Sequence, residues 1–224
     1  MQTTKQQLLV LLKRTGAVTV DEAAGALSVA SMTARQHLVG LERDGLVVAE
    51  KVRRLTWRPH YLYTLTPKGE EMFPRRFDLF AQVLLEEVGA LNANDFDGLA
   101  PEAKQSLLVQ RTADRLAERF RPRVDDRSLA ARVASVTDVL HFIGGFAEWR
   151  ETDDGYEIRD YNCVFARLAP AQRSGCPWHV RLLTGLLSWP VSHEIVDTGH
   201  VHCCRYLVER SSGGGRGEGL LTNG

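Results

Sequence analysis

Four cysteines stand at positions 163, 176, 203 and 204 of this 224-residue chain, all in its last third. Four of its seven histidines, His179, His193, His200 and His202, share the stretch. Thiolate and imidazole are the side chains that bind soft transition metals. Twelve residues separate Cys163 from Cys176, and twenty-six separate Cys176 from Cys203. The adjacent Cys203 and Cys204 are poorly placed to bond each other, and the C-x-x-C knuckles of zinc ribbons are missing. Thiolates drawn from separated segments suit an iron-sulfur cluster, whose ligands need only meet in space. The same spacing also leaves open a zinc site, a metal-free thiol switch, or inert buried thiols. His179 and His193 read as packing or surface residues when taken alone.

A second set of polar side chains lies near the other end. Ser31, Thr33, Arg35, Gln36 and His37 fall on one helical segment, and Arg53, Arg54 and Arg58 crowd into a later loop. Gln can pair bidentately with adenine, and Arg with guanine or with phosphate. Clustered arginines on a loop suit phosphates or a narrow minor groove. The competing reading is a solvated polar face on a small helical module that binds protein.

The elements that must carry these groups can be read from periodicity. Leu8, Leu9, Leu11 and Leu12 give a first helix from about Lys5 to Arg14, stopped by Gly16. Thr19-Val20-Asp21-Glu22 has capping-box form and opens a short helix through Leu27. A third helix runs from Ser31 to Asp44, with Met32, Ala34, Leu38 and Leu41 facing inward and Gly45 as its stop. Ala30 precedes it where a Ser or Thr cap is usual, which leaves Ser31 to serve. The period then changes to two in Leu46–Val52 and Tyr61–Thr66, a hairpin with its tip at Arg53 to His60. Helix, helix, turn, helix and hairpin in that order make a winged helix-turn-helix, with the third helix in the major groove.

Thr66 and Pro67 open a further helix, carried by Met72, Phe73, Phe77, Phe80, Val83, Leu84 and Val88 to about Gly89. Pro101 opens another to about Phe120, where Pro122 breaks it, and Asp126 or Ser128 caps a third through Ile143. Phe146–Thr152 and Tyr156–Tyr161 read as a hairpin around Asp154-Gly155. A short helix near His179 to Leu187 and strands near Val191–Val196 and Cys204–Val208 follow. The fold class is therefore α+β. It divides into a winged-helix domain at 1–75, linker and dimerisation helices at 76–145, a sensor region at 146–210 and a glycine-rich disordered tail at 211–224.

Overall charge balances at 28 basic and 28 acidic residues, but unevenly. Residues 1–75 hold eleven Lys and Arg against seven Asp and Glu, so this part is +4 and the remainder −4. No run of about 18 apolar residues is present, and the first residues lack a signal peptide's apolar core. The expected location is the cytoplasm. With no Ser/His/Asp set, phosphate loop or paired carboxylates, the residues point away from an enzyme.

Certain runs resemble a known family. Met32-Thr33-Ala34-Arg35-Gln36-His37-Leu38, Leu41 to Val47, Arg58-Pro59, Tyr63 to Gly69 and Phe73-Pro74 are similar to the ArsR-like winged-helix regulators called SufR, repressors of iron-sulfur cluster assembly operons. The Cys163-x₁₂-Cys176 spacing and the Cys204-Arg205-Tyr206 run resemble that family too. The resemblance implies a homodimer that binds an inverted repeat in double-stranded DNA, each subunit holding a cluster, usually 4Fe-4S. It implies Cys163, Cys176 and one of Cys203 and Cys204 as thiolate ligands. Where relatives place a further Cys or His before the last cysteine, this chain offers His193. Loss of the cluster would then lift repression.

Overall fold

The computed structural model describes residues 3–52, 60–165, 177–197 and 202–210, apart from the side chains of His60, Ala93 and His202. Its N-terminal head begins with helix α1 (Thr4–Thr15). The Thr3 hydroxyl accepts from the Gln6 N–H, and the Gln6 side chain accepts from the Thr3 N–H in return. Helix α2 (Val20–Leu27) starts on the anticipated box, with Thr19 and Glu22 capping each other. Helix α3 (Ser31–Arg43) buries Ala34, Leu38 and Leu41 and ends where Gly45 takes φ +72°, a conformation that favours glycine.

Strands β2 (Val47–Val52) and β3 (His60–Leu65) pair antiparallel, Val47 opposite Leu65 and Val52 opposite His60. A two-residue strand β1 (Ala17–Val18) adds to the other side of β3. It is too short for any periodicity to announce it. Leu8, Leu9, Leu12, Val18, Ala23, Ala34, Leu38, Leu41, Val47 and Tyr63 close a core within this head.

Two expectations about this region need correction. Met32 is 66% exposed, not inward, because it precedes Ala34 by two residues and so falls about 200° around the helix from it. The helix expected from Pro67 to Gly89 is broken. A single turn, α4 (Pro67–Glu70), capped by Thr66, is followed by an irregular segment, and α5 then runs from Phe77 to Gly89. Pro74 explains the break, since it lacks an N–H and biases Phe73 away from helical geometry.

The body packs helices against one face of an antiparallel sheet. Its remaining helices are α6 (Pro101–Phe120), α7 (Leu129–Phe142), capped by Ser128, and α8 (Pro177–Leu187). Its strands are β4 (Ala147–Thr152), β5 (Gly155–Asp160), β6 (Ser192–Asp197) and β7 (His202–Glu209), in the spatial order β4-β5-β7-β6. Val83, Leu116, Val136 and Leu140, four α8 leucines (Leu182, Leu183, Leu186, Leu187) and the inward residues Tyr156, Ile158, Cys204, Tyr206 and Val208 form one core. The helices of the 76–145 stretch thus share their interior with the later sheet. Among the described residues no helix is long and apolar enough to cross a membrane.

Candidate functional site

On the head, α3 presents Ser31, Arg35 and Gln36 as exposed side chains, with Thr33 and His37 half-buried beside them. Arg35 has no ion-pair partner among the described residues, which leaves its guanidinium for an external anion or base edge. Ala30 makes no side-chain cap, as expected. Ser31 does not substitute for it: its hydroxyl donates to Asp21 Oδ1 at 3.1 Å, bracing α3 against the start of α2. Among the described residues no side chain caps the first N–H groups of α3, and their dipole favours a phosphate.

A shallow groove joins Thr19, Val20, Asp21, Ser31, Met32, Arg35 and Tyr61. Met32 and the exposed Tyr61 line this groove beside Arg35, and the sequence alone does not single out either. A solvent-facing Met next to Arg35 offers an apolar contact of the kind that reads a thymine methyl. Arg53, Arg54 and Arg58 lie outside the described residues.

Not all of the head's basic excess faces outward. Lys13 is buried and pairs with Glu70 at 2.5 Å, while Arg14 meets Glu148 of β4 at 3.2 Å and covers the Phe146 ring. The Lys13 pair lies within the head, and Arg14 ties the head to the body.

Within the body, the segment after β5 brings Cys163 to 4.0 Å from His179 Nδ1 on α8. His179 is almost wholly buried and lies edge-on to Phe165. Cys204 projects from β7 toward the same place. Cys163 first, then His193, the charge of His179 and Tyr206, together outweigh the upward push of burial and hold the Cys204 thiol below the ordinary thiol value. His193 on β6 stands opposite Tyr206 and stacks on it at 5.0 Å. Its Nε2 is enclosed and makes no hydrogen bond of ordinary geometry among the described residues.

Strand alternation separates the two adjacent cysteines. Cys204 shares the inner face with Tyr206 and Val208, whereas Cys203 points to the outer face. There burial raises the Cys203 thiol to about 11, although Arg159 lies near enough to draw it down in part. One cysteine favours the thiolate and its neighbour the neutral thiol.

The structure thus brings Cys163, Cys204 and His193 to one region, adds His179, and sends Cys203 elsewhere. Cys176 lies outside the described residues, one position before α8 begins. His179 was the residue sequence reasoning passed over. Its signal was the spacing Cys176-x-x-His179, which sets an imidazole in the first turn of a helix directly after a thiol. Among the described residues no group of three or more His, Cys, Asp and Glu side chains is placed to hold a metal ion.

Residues 5–51 match the family model of the DeoR-like helix-turn-helix domain. No curated protein and no solved structure matches the chain. The matched span holds α1, α2, α3 and nearly all of β2, the elements that display Ser31, Arg35 and Gln36.

Proposed function

From the premise that a DeoR-like helix-turn-helix head makes this chain a DNA-binding transcriptional regulator, we propose that its hold on DNA is governed by an iron-sulfur cluster in the body. The carrying observation is the meeting of Cys163, Cys204, His179 and His193 in one enclosed region, next in sequence to Cys176. Thiols and imidazoles are the donor types of a thiolate-ligated centre, and Cys176, outside the described residues, would have to complete the set. Cys163, Cys176 and Cys204 are the proposed thiolates, with His193 or His179 as the fourth donor. When bound, a 4Fe-4S cluster supplies a redox-labile link among these segments.

In this reading the regulator is a repressor of cluster assembly genes and acts as a homodimer on an inverted repeat. A stripe of exposed apolar residues on α5, with Phe77, Leu85 and Val88 between 46% and 71% exposed, supports a second copy as the partner of that face. Pairing along α5 would set two α3 helices about 34 Å apart, one turn of the duplex. The presence of two imidazoles keeps zinc as the second reading.

Anaerobic purification decides between them. The cluster reading expects a brown protein absorbing near ~400 nm, carrying iron and sulfide, that retards an inverted-repeat duplex more strongly than the chelated protein does. A colourless protein with stoichiometric zinc overturns the cluster in favour of zinc. Equal retardation with and without the centre overturns control by any metal.

A further inference from the structure

We propose that Asn162, Cys163 and Arg75 form the joint through which the state of the thiol site reaches the DNA-reading head, an inference that rests on the function proposed above. Asn162 is buried to 1% exposure. Its side-chain amide donates to three carbonyls, Gly144 at 2.8 Å, Phe73 at 3.3 Å and Pro74 at 3.4 Å. Two of these lie on the irregular segment that leads from the head into α5. The main chain of Asn162 is itself fixed, its N–H donating to Asp160 Oδ1 at 3.0 Å, and that same oxygen accepts from the Phe146 N–H at 2.9 Å.

The next residue makes the second contact. Arg75 Nε donates to the Cys163 carbonyl at 3.2 Å. The Arg75 side chain is 8% exposed and its guanidinium reaches to 3.8 Å from Glu70 Oε2, the atom that also receives Lys13 of α1. A continuous path of hydrogen bonds and ion pairs therefore runs from the backbone of a proposed ligand, through Arg75 and Glu70, to the first helix of the head.

Sterics hold the path in place. The Phe73–Arg76 segment crosses Gly144 so closely that a Cβ there would lie 2.6 Å from the Arg76 nitrogen and 2.7 Å from the Arg75 Cα. Gly144 also takes φ +94°, so any side chain would be strained as well as crowded. The Phe73 ring packs on Phe146 at 5.4 Å. Pinned at Gly144, Asn162 and Cys163, the segment cannot keep its position if the Cys163 backbone moves. Ordering the thiol site orders the seat of the head, and loosening it releases that seat.

The test is amide hydrogen exchange on full-length protein, first reduced and chelated, then reconstituted anaerobically with ferrous iron and sulfide. In the wild type, reconstitution is expected to add protection at residues 12–15 and 70–76 as well as at 160–165. In Arg75→Gln, iron and sulfide uptake should stay within about twofold of wild type while the added protection stops at 160–165. An equal gain at 12–15 and 70–76 in the variant overturns the joint. A second arm needs no cofactor: in chelated protein, Arg75→Gln and Asn162→Asp should each speed exchange at 70–76 by about tenfold, and unchanged rates overturn the joint. A wild type that takes up neither iron nor sulfide refutes the proposed cofactor, and the chelated arm then judges the joint by itself.

Discussion

Head and body store their chemistry on opposite sides of their surfaces. The head buries leucines and valines and displays Ser31, Arg35 and Gln36 to solvent. The body buries Cys204 and His179 with the half-buried Cys163 packed against them. An extended polyanion can only be met on an outside surface, whereas a small centre bound by soft donors is best held where water is excluded. On the proposed reading, the placement of reactive groups separates a module that meets a macromolecule from one that would hold a small inorganic centre.

The sharpest way to break this comparison lies in the two neighbouring cysteines of β7. Cys204→Ser removes an inward thiol that favours its charged form and should cut iron and sulfide loading more than about tenfold, while Cys203→Ser should change it less than about twofold. Iron and sulfide analysis after anaerobic reconstitution reads both. Equal losses in the two variants would mean that the inner face is not the binding face.

The outward chemistry of the head is tested next. Arg35→Ala should weaken specific duplex binding by roughly 1–3 kcal/mol, between about fivefold and 150-fold, and relax the preference at one base position if Arg35 meets a base edge. If it meets a phosphate, the loss should be uniform over sequences and the salt dependence shallower by about one unit. Retardation assays over a set of duplexes at several salt concentrations distinguish these cases. Binding unchanged under every condition would remove α3 as the reading element.

The same contrast explains how much could be read from residues alone. Helices α1, α2 and α3 are visible because their signals are local: leucines at helical spacing, the capping box at Thr19, and glycine at the stops. The wing strands followed from a period of two. Two corrections are local as well: Pro74 breaks the helix that the apolar series carries on to Gly89, and Met32 is outward by its own angular position. The remainder depends on long-range geometry. In the body, the strands and helices were again legible within a few residues. The approach of His179 to Cys163 joins α8 to a segment beyond β5, and nothing periodic encodes it. Strand alternation does encode the opposed directions of Cys203 and Cys204, but only their pairing with β5 and β6 says which face is the inner one. The contacts of Asn162 to residues 73, 74 and 144 had no sequence signature of any kind.

Buried carboxylates in the body, Glu87, Asp160 and Glu157, run against the contrast, and Glu157 gives the smallest of these effects. Glu157 lies on the outer face of β5, yet only 1% of its side chain is exposed, because Arg150, Arg159 and Arg205 close over it at 2.5–3.0 Å. Burial pushes its pKa up, and the hydrogen bonds and charges of these arginines more than offset that push, leaving it below the ordinary 4.5. A carboxyl with a lowered folded pKa contributes stability that is present above its unfolded value and is lost as pH falls through the folded one. The arginines keep access to water, so the contribution is modest, and Glu157→Gln should cost about 1–2 kcal/mol at neutral pH. The gap from wild type should narrow as pH drops below about 4, where the native carboxyl itself becomes neutral. Urea unfolding at neutral and acid pH measures both values. A gap of constant size across that range would make Glu157 a shape-filling residue whose charge adds nothing to the stability of the sheet.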